Sequence, residues 1–371
     1  MTPAGEILRD EICRSGPLPF ARFMEVALYH PDFGYYRRKR DPFGAGGDFY
    51  TAEQIQPAFG ILIAQCIRML RNGMGNPEDF AVVELGAGRG EMAEAFSEFQ
   101  YIPIDLGNGN LPERIRGVAF SNEFFDALPV HVAIMREGAA REMRVGFANE
   151  RFTWVEAGPV AEEVECYRKK YLGLLSDGQV FEVSLEALRW LEQIAARLEA
   201  GYVLSIDYGY TTAELPRFPR GTLMSYRRHQ AFEDVLKHPG EQDITAHVCF
   251  TALEQHGKRI GLETVAFEPL ARTLIEAGEG DQFARVLDAG SPVEARRRSL
   301  QLKQLLFGMG ETFRTLLQRK AGGNESAAKD GDKNKKAPKN RGLESNSFGS
   351  LCGTPPTTFS SSGRLSSSQL S

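Results

Sequence analysis

The stretch that most constrains the fold is AVVELGAGRGEMAEAF, beginning at Ala81. A short apolar run ends in Glu84, glycines follow at 86, 88 and 90, and an Ala/Glu/Met segment of helical character comes next. This is the pattern of a strand, a tight turn and a helix. In an open parallel sheet such a turn lies at the carboxyl end of its strand, where a crevice for a ligand forms. Glycines there let backbone approach a ligand that a Cβ would push away.

The acids around the turn narrow the ligand. A dinucleotide fingerprint wants glycine at the sixth position of G-x-G-x-x-G, which here is Glu91, and Glu84 stands where a pyrophosphate would be repelled. A cationic ligand is favoured instead, and S-adenosylmethionine (SAM) carries an ammonium, a sulfonium and no phosphate. Asp105, at the end of a second strand-like run (101–106), is placed to accept hydrogen bonds from two ribose hydroxyls. The alternative is a glycine turn without a ligand beside two surface acids.

At 371 residues the chain is long enough for one elaborated domain or two smaller ones. With 42% hydrophobic and 25% charged residues it has an ordinary globular composition, and the longest apolar run, around 59–67, stops at Arg68, so membrane insertion is not expected. The start, MTPAGEILRDE, has neither the apolar core of a signal peptide nor Arg-rich transit character. It points to a cytoplasm-like compartment, or to the mitochondrial matrix if a transit peptide has been removed. Cysteines at 13, 66, 166, 249 and 352 form no close pairs and read as free buried thiols, and no His/Cys spacing fits a metal motif. From Lys320 onward, eight Lys/Arg against four Asp/Glu give +4, leaving −9 for the rest. Residues 320–371 read as a disordered Lys/Ser-rich tail, and the acidic body argues against nucleic-acid binding.

Helical spacing predicts helices at 3–14 and 19–29, then an ordered Gly/Tyr-rich loop over 30–52 close to the ligand, and a helix from about Ala52 to Leu70 capped by Thr51. The sheet core is expected as strand 80–85, helix 89–99, and strands 101–106, 117–121 and 201–207. Short alternating runs at 131–136, 141–147 and 152–155 predict an inserted antiparallel meander. Helices are expected at 159–172, 184–199, 269–277, 280–288 and 293–306, with late strands at 262–267 and 313–318. β-α-β alternation with buried strands makes the class α/β with a mostly parallel sheet. Three regions result: 1–75, helices and the ordered loop; 76–319, the ligand-binding domain with insertions; and 320–371, the tail. NEFFDALP (122–129) and IDYG (206–209) each close a strand, where polar groups beside aromatics can hold a substrate nitrogen next to a methyl donor.

GDFYTA (47–52), ELGAGRG (84–90), SNEFFDALPV (121–130), IDYGY (206–210), GTLMSYRRH (221–229) and PGEQDITAHV (239–248) occur in an order that resembles the MidA-like family of SAM-dependent methyltransferases. Mitochondrial members of that family assist assembly of respiratory complex I. The resemblance spans about 4–319. It implies a class I, Rossmann-like methyltransferase fold with N-terminal and additional helices, and symmetric dimethylation of an arginine in a complex I subunit. The family normally has a further strand and helix before NEFFDALP, where this chain has only the short 107–116 segment.

Methyl transfer asks the protein to aim a nitrogen lone pair at the sulfonium methyl. An arginine guanidinium stays protonated at neutral pH, so carboxylates must bind it and draw charge from the attacking nitrogen. Glu123 is the first candidate, with Asp126 and Asp207 behind it, and Asp48 is placed at the entrance. Glu84, Gly86, Gly88, Gly90, Asp105 and Asn122 are the expected cofactor contacts. Phe124, Phe125 and Tyr208 are expected to line the acceptor side and exclude water. The alternatives are a small-molecule methyltransferase and a non-catalytic SAM-binding assembly factor.

Overall fold

The computed structural model describes residues 1–37, 55–228 and 230–322. Helix α1 (Pro3–Ser15) starts where Thr2 Oγ1 accepts from Gly5 N at 3.0 Å and Pro3 needs no N–H partner, and it buries Leu8 and Ile12. Strand β1 (Leu18–Pro19) leads into α2 (Phe20–Tyr29), whose inner face carries Phe20, Phe23, Met24 and Ala27. α3 (Ala58–Gly73) begins six residues later than the sequence suggests, directly after Pro57, because the residue before a proline is pushed out of helical conformation. Thr51 and Asp48 lie outside the described residues, as does nearly all of the expected tail; Lys320 is the last residue of a strand.

The central sheet is then laid down by β2 (Ala81–Leu85), β3 (Gln100–Ile104) and β4 (Ile115–Asn122). The expected helix at 89–99 is not formed. Gly86, Gly88 and Gly90 hold positive φ, and the segment closes mostly through four-residue turns, such as Gly90 N to Ala87 O (2.7 Å), around Met92 and Phe96, which are fully buried. The meander follows as β5 (His131–Arg136), β6 (Ala139–Ala148) and β7 (Arg151–Pro159), then α4 (Glu162–Tyr171) and β8 (Val180–Val183), an unforeseen strand that pairs with β5. β1, equally unforeseen, pairs with the other side of the meander at β6.

Ser184 caps α5 (Leu185–Arg197), whose buried Leu191 and Ile194 lie on the sheet side, and the chain runs directly into β9 (Leu198–Tyr210). β10 (Met224–Arg227), β11 (Gln230–Phe232) and β12 (Asp243–Thr245) form a small antiparallel sheet, and β13 (Val248–Cys249) joins the end of β9. The rest comprises α6 (Phe250–Arg259), β14 (Glu263–Pro269), α7 (Leu270–Glu279), α8 (Ala284–Leu287), α9 (Pro292–Gln304) and β15 (Phe313–Lys320).

The central sheet has the order β14-β15-β9-β4-β2-β3, parallel from β9 to β3 and antiparallel at β15 and β14. Alternate residues of β2 feed two cores. Val82 packs with Phe96, Phe120, Ile63 and Leu204 beside α3 and α7, while Val83 and Leu85 pack with Leu191, Ile194 and Leu253 beside α5 and α6. A third core joins α1 and α2 to the meander through Leu8, Phe23, Val132 and Val145. Among the described residues β3 is the edge strand, because 107–116 supplies no strand to pair beyond it; Pro103 is tolerated at such an edge. Of the four described cysteines only Cys249 is buried, whereas Cys13 and Cys166 are exposed.

Candidate active site

Register brings the carboxyl ends of β3, β2, β4 and β9 side by side: Leu85 stands opposite Ile104 and Ser121, and Asn122 opposite Ile206. The glycine turn leaves β2 at this rim. Gly86 N and Ala87 N donate to Ile104 O at 2.9 and 3.1 Å, which ties the turn to the end of β3 and sets Asp105 beside it. At Gly86, with φ +70°, a Cβ would stand 3.1 Å from Phe124 Cδ2. Asp105 accepts from Leu106 N at 2.7 Å; burial pushes its carboxyl up, and the Leu106 N–H, Arg37 and the Gly88 N–H oppose this.

At the end of β4, Asn122 is buried and its Nδ2 donates to Glu123 Oε1 at 3.3 Å. Glu123 takes a left-handed φ of +51°, and its N–H donates to Ile206 O at 3.0 Å, turning the chain out of the sheet toward the rim. The next four residues are fixed from β9. Asp207 is fully buried and accepts from Phe125 N (3.0 Å), Asp126 N (3.3 Å) and Tyr208 N (2.9 Å). The Tyr208 hydroxyl donates to Asp126 Oδ2 at 2.6 Å. Burial pushes Asp126 up to about 6, with the Tyr208 hydroxyl opposing the rise. Burial, and then the charges of Asp126 and Glu123, push Asp207 well up, while its backbone donors favour the charged form. The two carboxyls titrate as a unit above the ordinary carboxylate range.

These groups border a cleft of about 1930 Å³. Of the residues singled out from sequence, Gly86, Gly88, Asp105, Asn122, Glu123, Phe124, Asp126 and Tyr208 line it. Glu84, Gly90, Phe125 and Asp207 do not. Glu84 shares the β2 face of Val82, points away from the α5 side, and accepts a hydrogen bond from the Tyr101 hydroxyl. Phe125 packs in the core with Leu85 and Leu128, and Asp207 turns its oxygens to backbone amides. The cleft also holds groups that sequence reasoning passed over: Tyr36, whose hydroxyl donates to Asp243 Oδ1 at 2.8 Å, together with Thr245, His247 and Trp190. The signals were present in the aromatic loop at 35–36 and in PGEQDITAHV, whose short strand β12 brings Asp243 and Thr245 to the rim.

A positively charged nucleoside fits this rim. The turn leaves open the side where a Cβ would intrude, with nothing nearer than Glu91 Oε2 at 3.4 Å beside the Cβ position of Gly88, and Asp105 lines the same cleft. Asn122 Oδ1 is buried with no donor among the described residues, as an ammonium ligand would require. Comparisons agree with the fit. A family model of S-adenosyl-L-methionine-dependent methyltransferases matches residues 105–268. The crystal structure of a COG1565 superfamily member from Burkholderia thailandensis, bound to S-adenosyl-homocysteine (SAH), superposes with TM-score 0.76 at 28% identity, covering 85% of this chain and 92% of that one. The mitochondrial protein arginine methyltransferase NDUFAF7 homolog of Drosophila melanogaster is 28% identical over 66% of this chain and 67% of its own, and human NDUFAF7 is 27% identical over 84% and 82%.

Fold and rim together define a class I SAM-dependent methyltransferase, with SAM as its methyl donor. Within that class the chain is similar to the MidA-like family, through the methyltransferase model over residues 105–268 and the NDUFAF7 relatives. The expectation of a cytoplasm-like compartment finds no support among the NDUFAF7 relatives, whose names are mitochondrial.

Proposed function

We propose that the methyl acceptor is an arginine guanidinium of a protein, that a respiratory complex I subunit is the substrate, and that the enzyme works in the mitochondrial matrix. The observation that carries the acceptor assignment is that two carboxylates, Glu123 and Asp126, line the cleft that also holds the glycine turn and Asp105. The NDUFAF7 relatives, named as protein arginine methyltransferases, support the same reading. SAM, when bound, supplies an electrophilic methyl on sulfur. Asp105 would accept from the ribose hydroxyls, Asn122 Oδ1 from the ammonium, and Gly86 and Gly88 leave room for the nucleoside. Glu123 binds and orients the guanidinium, Asp126 stands beside it, and Phe124 and Tyr208 keep water from the reacting nitrogen.

The test is incubation with labelled SAM and mitochondrial extract, followed by amino-acid analysis for methylarginine. Glu123→Gln should lower incorporation by about 100-fold while SAH still binds. Equal incorporation by the variant, or label only in small molecules, refutes the reading. A non-catalytic assembly role draws on one observation, the β3 edge, which no further described strand pairs, and predicts SAH binding with no label transferred at all.

A further inference from the structure

Beyond Glu123 the cleft contains a second polar group set whose hydrogen-bonding capacity the fold leaves partly unused. Asp126 and Thr245 are each 4% exposed, both line the cleft, and neither Asp126 Oδ1 nor Thr245 Oγ1 has a hydrogen-bond partner among the described residues. They arrive from different elements, Asp126 from the loop after β4 and Thr245 from the end of β12. The backbone couples these segments, since Ala246 N donates to Asp126 O at 2.9 Å. Tyr208 sits between them. Its hydroxyl is committed to Asp126 Oδ2, and the nearby Thr245 hydroxyl makes no bond of ordinary geometry to it. His247 packs its ring against Tyr208 at 5.3 Å, and burial lowers its pKa, so this ring adds no positive charge near neutral pH. Buried acceptors without donors are costly unless a ligand completes them. Two such oxygens around a tyrosine can accept from a planar ligand rich in N–H donors.

We propose that Asp126 and Thr245 form the seat of the acceptor guanidinium, with Thr245 Oγ1 accepting from one nitrogen and Asp126 Oδ1 taking the proton of the nitrogen that is methylated. The seat rests on the reading of arginine as acceptor and adds to it the residues that select a guanidinium over an ammonium. The balance is complete: the nitrogen pair forms the N–CH3 bond, the S–CH3 pair stays on sulfur, and the displaced N–H proton moves to Asp126 and then to solvent. Thr245 is a specificity residue from outside the strands that carry the glycine turn.

The experiment titrates Nα-acetyl-arginine N-methylamide into the full chain with SAH present, followed by ligand-observed NMR. Thr245→Val keeps the shape and removes the acceptor, so affinity for this probe should fall about tenfold, the size expected for a buried donor left unpaired, with SAH affinity unchanged. Thr245→Ser should recover most of it, and the corresponding acetyl-lysine probe should not distinguish Thr245→Val from the parent. Equal arginine-probe affinity in the parent and Thr245→Val, or no saturable binding by the parent, overturns the seat. If methylarginine is produced while Thr245→Val binds the probe normally, the seat falls and the arginine assignment stands. If the probe shows the Thr245 dependence while label never reaches arginine, the assignment falls and a guanidinium site remains.

Discussion

Asp126 is the residue whose charge state sets the pH response. Burial pushes its carboxyl up to about 6 in the folded protein against 3.8 ordinarily, since it penalises the anion more than the Tyr208 hydroxyl and neighbouring amides favour it. The folded state therefore binds this proton more tightly than the unfolded chain. Its stabilising contribution is complete below pH 3.8 and is lost as the pH rises through about 6. Turnover runs the other way, since a proton acceptor must be ionised, and the rate should fall on acidification through about pH 6. Tyr208→Phe removes a bond that favours the anion, so the acid limb of the kcat profile should move to higher pH; a limb unchanged in that variant contradicts the role of Asp126. Such detail was only partly legible in the sequence. NEFFDALP and IDYG marked the right strand ends, but the direction of each side chain there is set by tertiary partners. Asp207 looked like a substrate acid and is instead the clamp on Phe125 N and Asp126 N, which makes it a positioning residue.

Among elements, the glycine turn carries the strongest local requirement. Gly86 combines a φ of +70° with a Cβ position 3.1 Å from Phe124, so Gly86→Ala incurs left-handed strain of about 1–2 kcal/mol and presses on a cleft wall. A lower Tm and weaker SAH binding are expected together, read by thermal melts with and without SAH; a variant that loses stability but binds SAH as before places the turn outside the nucleoside site. The strands on either side were legible because buried parallel strands read as near-continuous apolar runs. The segment 89–99 was not, since its helical composition competes with positive-φ glycines at 88 and 90 and with the anchoring of Met92 and Phe96 in the core. β8 and β10–β12 were missed for a related reason: each is four residues or fewer, too short to show a period of two, and exists through its pairing partners.

For the whole molecule, β-α-β alternation and the meander gave the α/β class and the inserted sheet, and the 107–116 segment, too short for an ordinary βα unit, adds no strand beyond β3 among the described residues. The way β12 and β13 fold back to complete the cleft had no local signal. It follows from the parallel pairing of Val248 with Gly209, a contact so close that a Cβ on Gly209 would stand 2.0 Å from Val248 O. The account stands on the cleft between the glycine turn and Asp105 on one side and Glu123 and Asp126 on the other as the place where SAM binds. Calorimetric titration of SAH into the parent and into Asp105→Ala tests this most directly. Saturable binding by the parent, weakened at least about tenfold in Asp105→Ala by the loss of charge-assisted hydrogen bonds to the ribose, is the predicted result. No heat with the parent, or the same affinity in both, would contradict it.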